Sequence, residues 1–541
     1  MTAAHGGASA FSVAAGRSLR HVLHARRVLL AVILFGILLR AVLYAANRSL
    51  TLDESFVALN IERRSAGKLL GQLDWNSAAP TAFLELEKAL SIALGGSEHV
   101  LRAAPFFASL LGLIVFAKLA AQLAQPYAVS FAVLLFAGLG LTISYAALAK
   151  PYAFDVLFVT AIYVATLHVL SNPNRSSLIG LTVLGVVAPA FSYASVFAVA
   201  ASASLLVSTT FAPKSTAQRI RILSVVGGWS ALFLTWYFWH GNTVSHLQRS
   251  FGSEYLDSSA SIHSALGALR IVLGVSPDSA HVGTTLAAIA TGAVAVFFVA
   301  GVVELARRGW QAPALLLLPG VFVAIASAAH LYPLAPRTML FLTPTLVVCV
   351  AMGFVALHQR MRGLVSQGAV IALMTVMIVA EASTTIHSLA PLRGDEGIKP
   401  VMRTLATRQL PGDSVYISYA SQYPFAYYLE CNCAGTLISA ATRRHLWNVN
   451  PTPGNVDQWA PALRSRSGRT LIGAFQGYGL ESYDRDLEKL RNRGRVWIVA
   501  TFLDGRERAA LSARLDQLGQ RVASFGQGSG VDAVTTYLYI F

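Results

Sequence analysis

The sequence predicts a polytopic α-helical membrane protein with about eleven spans in residues 1–389, followed by a small extracytoplasmic α/β domain over 390–541. Three observations predict it. Hydrophobic residues fill 55% of the 541 positions and charged ones 13%, for a mean hydropathy of +0.56, outside the range of an ordinary soluble domain. Apolar stretches long enough to cross a hydrocarbon core of about 30 Å recur along the first 390 residues, and the one at 128–149 carries no charge. Beyond Leu389 that pattern stops.

Arg17, Arg20, Arg26 and Arg27 precede the apolar run 28–46, the order of an uncleaved signal anchor with its N-terminus inside. A cleavable signal peptide is the alternative, with Ala45 and Ala46 as its small residues. Further spans fall near 103–123, 128–149, 152–170, 178–191, 195–212, 222–239, 282–304, 312–330, 338–357 and 364–387. The charge-free stretch 178–213 is too long for one helix, and Pro189 with Ser192 and Tyr193 marks a reversal that divides it into two short ones. From an inside N-terminus, the loops with Arg175, with Lys214, Arg219 and Arg221, with Arg307 and Arg308, and with Arg360 and Arg362 all fall inside, as the positive-inside rule requires. The odd count delivers the loops 47–102 and 241–281, and the tail, to the outside. The net charge of +16 is therefore spread by topology, not gathered into a nucleic-acid-binding stripe, and part of it can serve anionic lipid phosphates.

In the tail, 414–419 and 496–501 read as strands, 506–518 as an amphipathic helix and 535–541 as a closing strand, with Pro411-Gly412-Asp413 as a turn before the first. Cys349 lies in an apolar span, while Cys431 and Cys433 lack the second ligand pair of a structural zinc site and give no disulfide framework. All three read as ordinary small or buried residues, with a redox or metal role as the alternative.

Three features on the outer side carry chemistry. Leu52-Asp53-Glu54-Ser55 opens the first outer loop with two adjacent carboxylates. Either could act as general base toward a hydroxyl, or the pair could only start a helix, Asp53 capping it and Glu54 meeting its dipole. In Ala149-Lys150-Pro151-Tyr152-Ala153-Phe154-Asp155, Pro151 suits a first helical position and projects Lys150 from the start of a span. Tyr152 and Asp155 share a helical face there, and an ionisable group within a span is a candidate site, although an acid near a helix N-terminus is also simply favourable. Arg337 follows Pro336 in the loop from His330, where a guanidinium can hold a phosphate through two hydrogen bonds or anchor nonspecifically at the headgroups. Topology places all three on one face, a combination suited to displacement at an anomeric carbon with a phosphate departing.

These segments resemble the C-type (GT-C) glycosyltransferases, the family that includes protein O-mannosyltransferases and the bacterial aminoarabinose and galacturonic acid transferases that act on lipopolysaccharide. Leu52-Asp53-Glu54 is similar to that family's first-loop acidic motif, followed by Ala79-Pro80 before an apolar helix. Gly96-Ser97-Glu98-His99-Val100-Leu101-Arg102 resembles the segment leading into the second span, and residues 145–155 the start of the fourth. Arg337-Thr338-Met339-Leu340-Phe341-Leu342-Thr343-Pro344 is similar to a late arginine-plus-apolar segment, so the resemblance covers roughly 28–360, with the order of motifs as its main strength. It implies a base at Asp53 assisted by Glu54, phosphate contacts from Lys150 and Arg337, and Asp155 as a second carboxylate beside acceptor or donor, with Tyr152 in the substrate-binding set. The implied partners are a polyprenyl-phosphate sugar donor, a lipid, glycan or protein acceptor, and membrane lipids, in a bacterial inner membrane.

No metal site is assigned, since His240, His246, His263, His281 and His330 are scattered without ligand spacing; a divalent ion of the kind some members carry stays open. Two other classes share the many spans. A flippase for lipid-linked saccharides lacks support from any clear inverted repeat, and its acidic pair would sit in an outer loop instead of near the midplane. A noncatalytic scaffold would be indifferent to Asp53.

Overall fold

The computed structural model describes all residues except 1–6, 76, 212–214, 240–283, 390–396, 432–446, 450–461, 466–468, 474–479, 502, 504 and 526–534. In chain order the helices are α1 (Gly7–Ala45), α2 (Leu52–Arg63), α3 (Ala66–Leu69), α4 (Thr81–Leu94), α5 (Glu98–Leu123), α6 (Pro126–Gly138), α7 (Gly140–Ala146), α8 (Tyr152–Ser171), α9 (Arg175–Phe191), α10 (Ser195–Ser208), α11 (Thr216–Trp239), α12 (Thr284–Arg308), α13 (Gln311–Ala328), α14 (Thr343–Arg360), α15 (Leu364–Leu389), α16 (Ile398–Arg408), α17 (Gln422–Glu430), α18 (Leu480–Glu488) and α19 (Gly505–Leu518). The chain divides into a helical unit of Met1–Tyr44, Pro105–Ala147 and Pro151–Leu389, and a mixed unit of Ala45–Ala104, Leu148–Lys150 and Ala390–Phe541.

The helical unit is apolar inside and out. Leu30, Leu34 and Leu38 of α1 are exposed while Phe116, Phe136, Tyr163 and Phe297 are fully buried, the distribution of a bundle whose outer surface meets lipid. Among the described residues, eight helices are long and apolar enough to cross a membrane, and the pair α6–α7, bent by 57°, is a broken span or a re-entrant loop. The expected count of about eleven included α9 and α10, which have 17 and 14 residues. At 1.5 Å per residue these reach only about 21–26 Å, short of a full hydrocarbon core.

The bend corrects the single helix expected over 128–149 and frees backbone groups that membrane cannot satisfy. Arg40 supplies donors: its Nη1 reaches the Ala137 carbonyl at 3.1 Å and that of Gly36 at 3.0 Å, Nη2 reaches Thr142 Oγ1 at 3.0 Å, and Nε reaches Ser109 Oγ at 2.9 Å. Thr385 Oγ1 donates to the Gly138 carbonyl at 2.8 Å, and Glu381 accepts the Gly140 N–H at 2.9 Å. Gly140 is required there, because a Cβ would come within 2.9 Å of the Thr385 backbone. Nearby in sequence order, α12 and α14 touch backbone to backbone: a Cβ on Gly301 would fall 1.8 Å from the Cys349 carbonyl oxygen, and one on Gly353 equally close to that of Phe297.

The mixed unit is built on a five-stranded sheet in the order β4-β1-β5-β7-β6, with β1 (Ser414–Ile417), β4 (Thr470–Ile472), β5 (Arg495–Ala500), β6 (Gln520–Phe525) and β7 (Thr535–Ile540). β2 (Trp447–Val449) and β3 (Leu463–Ser465) form a separate antiparallel pair. β4, β1 and β5 run parallel, with Tyr416 opposite Leu471 and Ile498, whereas β7 and β6 are antiparallel. The expected strands, helix and turn of the tail are all present. Gly412 takes φ 113° in that turn, and Asp413 beyond it accepts from Trp497 Nε1 at 2.8 Å and Arg495 Nε at 3.0 Å. Cys431 is disulfide-bonded, which corrects its reading as an ordinary buried residue; Cys349 is free and buried as expected.

Candidate active site

The stretch joining α1 to α2 has neither helix nor strand, so each of its polar backbone groups needs another partner. Lys399 Nζ donates to the Asn47 carbonyl at 2.7 Å, and Arg102 reaches the carbonyls of Arg48 at 2.7 Å and Ser49 at 3.2 Å. The Leu50 N–H donates to Tyr428 Oη at 3.0 Å, and Tyr428 in turn donates to Glu98 at 2.8 Å. Lys399 also pairs with Glu98.

α2 then starts with a capping box. Thr51 Oγ1 takes the Glu54 N–H at 3.3 Å while Glu54 Oε2 takes the Thr51 N–H at 2.9 Å. The cap is therefore Thr51, correcting the alternative in which Asp53 caps; Asp53 is two residues into the helix and half-buried. Glu54 is fully buried and held bidentately by Arg102, Nε to Oε1 at 2.8 Å and Nη2 to Oε2 at 2.9 Å. Its Oε1 also accepts the Ala149 N–H at 2.9 Å. Burial pushes this carboxyl up, but Arg102 and the N–H groups of Thr51 and Ala149 outweigh it and hold it below the ordinary glutamate value. Arg102 was quoted in a motif and given no role; it lies 48 residues from Glu54, and only the fold joins them.

The Ala149 contact brings Lys150 into the same unit. Lys150 does not project: it is only 9% exposed, in a tight turn closed by its own N–H to the Leu148 carbonyl at 2.8 Å. Pro151 stands as the N-cap of α8, one place earlier than the first-turn position expected from the sequence.

The other three site residues belong to the helical unit. Asp155 is buried at the start of α8, with the Ser192 hydroxyl in hydrogen-bonding reach. Tyr152 packs edge-on against Tyr145 at 5.0 Å between ring centroids. Arg337 lies half-buried in a turn knotted by Thr338, whose Oγ1 takes the Ala335 N–H at 2.9 Å and donates to the Pro333 carbonyl at 2.7 Å. Tyr332 begins that loop and donates to the Thr338 carbonyl at 3.0 Å. Burial, then the Asp155 carboxylate and Tyr152 beside it, push the Tyr332 phenol well above its usual range. Tyr332 thus sits in the Arg337 loop within electrostatic reach of Tyr152 and Asp155, a proximity absent from the sequence reading.

No family model and no curated protein matches the sequence. Among solved structures the chain is similar to the oligosaccharyltransferase of Archaeoglobus fulgidus in its apo form, at 12% identity over 90% of this chain and 71% of that one, with a TM-score of 0.49. It is similar to ArnT from Cupriavidus metallidurans in the apo state, at 11% identity over 94% and 97% of the two chains and a TM-score of 0.46. The mycobacterial arabinofuranosyltransferase AftD gives 15% identity over 95% of this chain and 40% of that one, at a TM-score of 0.45.

Among the described residues no three His, Cys, Asp or Glu side chains gather as a metal site. His240, His246, His263 and His281 fall outside the described residues, and His330 adopts a positive φ of 58° at the end of α13.

Proposed function

We propose that the chain is an inverting glycosyltransferase that moves a sugar from a polyprenyl-phosphate donor to a lipid, glycan or protein acceptor at the outer face of a bacterial inner membrane. The observation that carries the reading is the Glu54 hub. One buried carboxylate fixes the start of α2, leaving Asp53 beside it half-accessible, and also fixes the backbone immediately before Lys150. A candidate base and a candidate phosphate-binding cation thus hang from a single hydrogen-bonded assembly.

In this reading Asp53 takes the proton of the acceptor hydroxyl as its oxygen attacks the anomeric carbon. The bond from that carbon to the phosphate oxygen breaks, and polyprenyl phosphate departs with its negative charge met by Lys150. One carboxylate suffices for a single displacement with inversion. Glu54 is consumed by Arg102 and two backbone N–H groups, so its part is to position and not to exchange protons. Tyr152, Asp155 and Arg337 are the candidate substrate-binding residues of the helical unit. The disulfide at Cys431 suits an oxidising compartment, which supports the outer orientation of the tail.

The test is Asp53→Asn in reconstituted membranes supplied with donor. Transfer should fall by roughly 10²-fold or more with donor binding and thermal midpoint kept. Near-normal turnover by the folded variant would remove Asp53 from the role. Mass spectrometry of envelope glycolipids and polysaccharides with and without the gene identifies sugar and acceptor together.

A further inference from the structure

The helical unit has a second cluster of charge, at the end remote from Asp155 and Arg337. There the α5–α6 turn meets the C-terminal ends of α12 and α14 around a recess of about 400 Å³, open mouth included. Its polar rim includes Gln125, Glu304, Arg308 and Arg360, and its floor Met352 and Ala356. Arg308 lays Nε and Nη2 on Glu304 Oε1 at 3.3 and 3.0 Å and spends Nη1 on the Leu123 carbonyl at 2.9 Å. Arg360 pairs with the other Glu304 oxygen.

Two guanidinium groups thus share one carboxylate, and the recess keeps a net positive charge. Both arginines stay nearly half exposed, at 44% and 46%. Arg360 makes one ion pair among the described residues, so most of its donor fork is left for something else. The N-terminus of α6 adds to the field: the Gln125 side chain makes no capping bond to its N–H groups, its Oε1 accepting instead from Tyr127 Oη at 2.7 Å, and Pro126 follows. Glu304 offsets one of the two positive charges and leaves the other uncompensated. The recess sits where the candidate spans end at Leu123, Arg308 and Arg360, and the ends of such spans are where headgroups meet a membrane protein.

We propose that this recess binds the phosphate of an anionic phospholipid headgroup, gripped by Arg308 and Arg360. The inference is independent of the transferase reading, and no residue in it belongs to the proposed active site. A free phosphate ion offers the same oxygens, so the experiment separates the two sources. The full chain, purified in neutral detergent, is titrated by native mass spectrometry with phosphatidylglycerol, with phosphatidylcholine, and with phosphatidylglycerol in the presence of inorganic phosphate. Phosphatidylglycerol should bind roughly tenfold or more tightly than phosphatidylcholine, and the Arg308→Gln/Arg360→Gln double variant should lose that preference. Glu304→Gln should strengthen phosphatidylglycerol binding, because it removes the one opposing charge; this variant also decides the matter if the double one does not fold. Equal binding of the two lipids, an undiminished preference in a folded double variant, or weaker binding by a folded Glu304→Gln protein would overturn the proposal. So would displacement of the lipid by millimolar inorganic phosphate.

Discussion

Arg102 and Glu54 are a buried ion pair, and such pairs matter most when one member is lost. Arg102→Gln leaves a carboxylate in a dry site and should lower stability by about 3–5 kcal/mol, whereas Glu54→Gln/Arg102→Gln should cost less than Arg102→Gln alone. Thermal midpoints in detergent check the order. The Glu54 carboxyl is held below its unfolded value, so its contribution is complete above about pH 4.3 and disappears as pH falls through the lower folded value. Glu87 has the opposite sign. It is fully buried on α4 with both oxygens unpartnered, and burial pushes its carboxyl well above the ordinary range. Its cost is absent in acid, where folded and unfolded chains are both protonated, and grows as pH rises past the unfolded value. Glu87→Gln should therefore raise the thermal midpoint at pH 7 and change nothing near pH 3; a pH-independent gain would contradict this account. The acidic pair was legible in the sequence because its members adjoin. Which of the two is buried was not, since that depends on Arg102 and Ala149, 48 and 95 residues further on.

At the scale of elements, apolar runs announced the spans well because membrane leaves a helix few other choices. Breaks inside a span are another matter. Glycine and small residues are tolerated in apolar helices, so 128–149 read as one segment, and the groups that stabilise its bend, Arg40, Glu381 and Thr385, come from other spans. The strand Gln520–Phe525 was missed for a related reason. It is the sheet's edge, largely exposed and interrupted by a bulge between Arg521 and Ala523, so it lacks the apolar alternation that marks a half-buried strand. The α12–α14 contact gives a prediction of its own. With Gly301 and Gly353 each set against an opposing carbonyl, Gly301→Val must separate the two backbones, and the thermal midpoint should fall by several degrees, while Gly227→Ala, whose added Cβ meets nothing within 4 Å, should leave it nearly unchanged.

For the whole molecule, orientation is the proposal on which the chemistry depends. Single cysteines at exposed Gly67 and Leu410 should react with an impermeant reagent on intact cells, and those at Gln218 and Arg307 only after the membrane is opened. Labelling of Leu410 only in opened cells would put the tail, and with it the proposed reaction, on the wrong face. Arg40 adds a constraint that concerns synthesis and not the finished fold. Its partners Ser109, Ala137 and Thr142 lie 69, 97 and 102 residues downstream, so α1 enters the bilayer with only its own Gly36 carbonyl to meet the guanidinium, before the other partners have left the ribosome. Close to the end of its span, that side chain can wait at the headgroups and move inward only when α5 to α7 arrive. Arg40→Leu should therefore have opposite effects at two stages of biogenesis: better membrane retention of a nascent chain stopped after Ala104, and a lower thermal midpoint once the chain is complete.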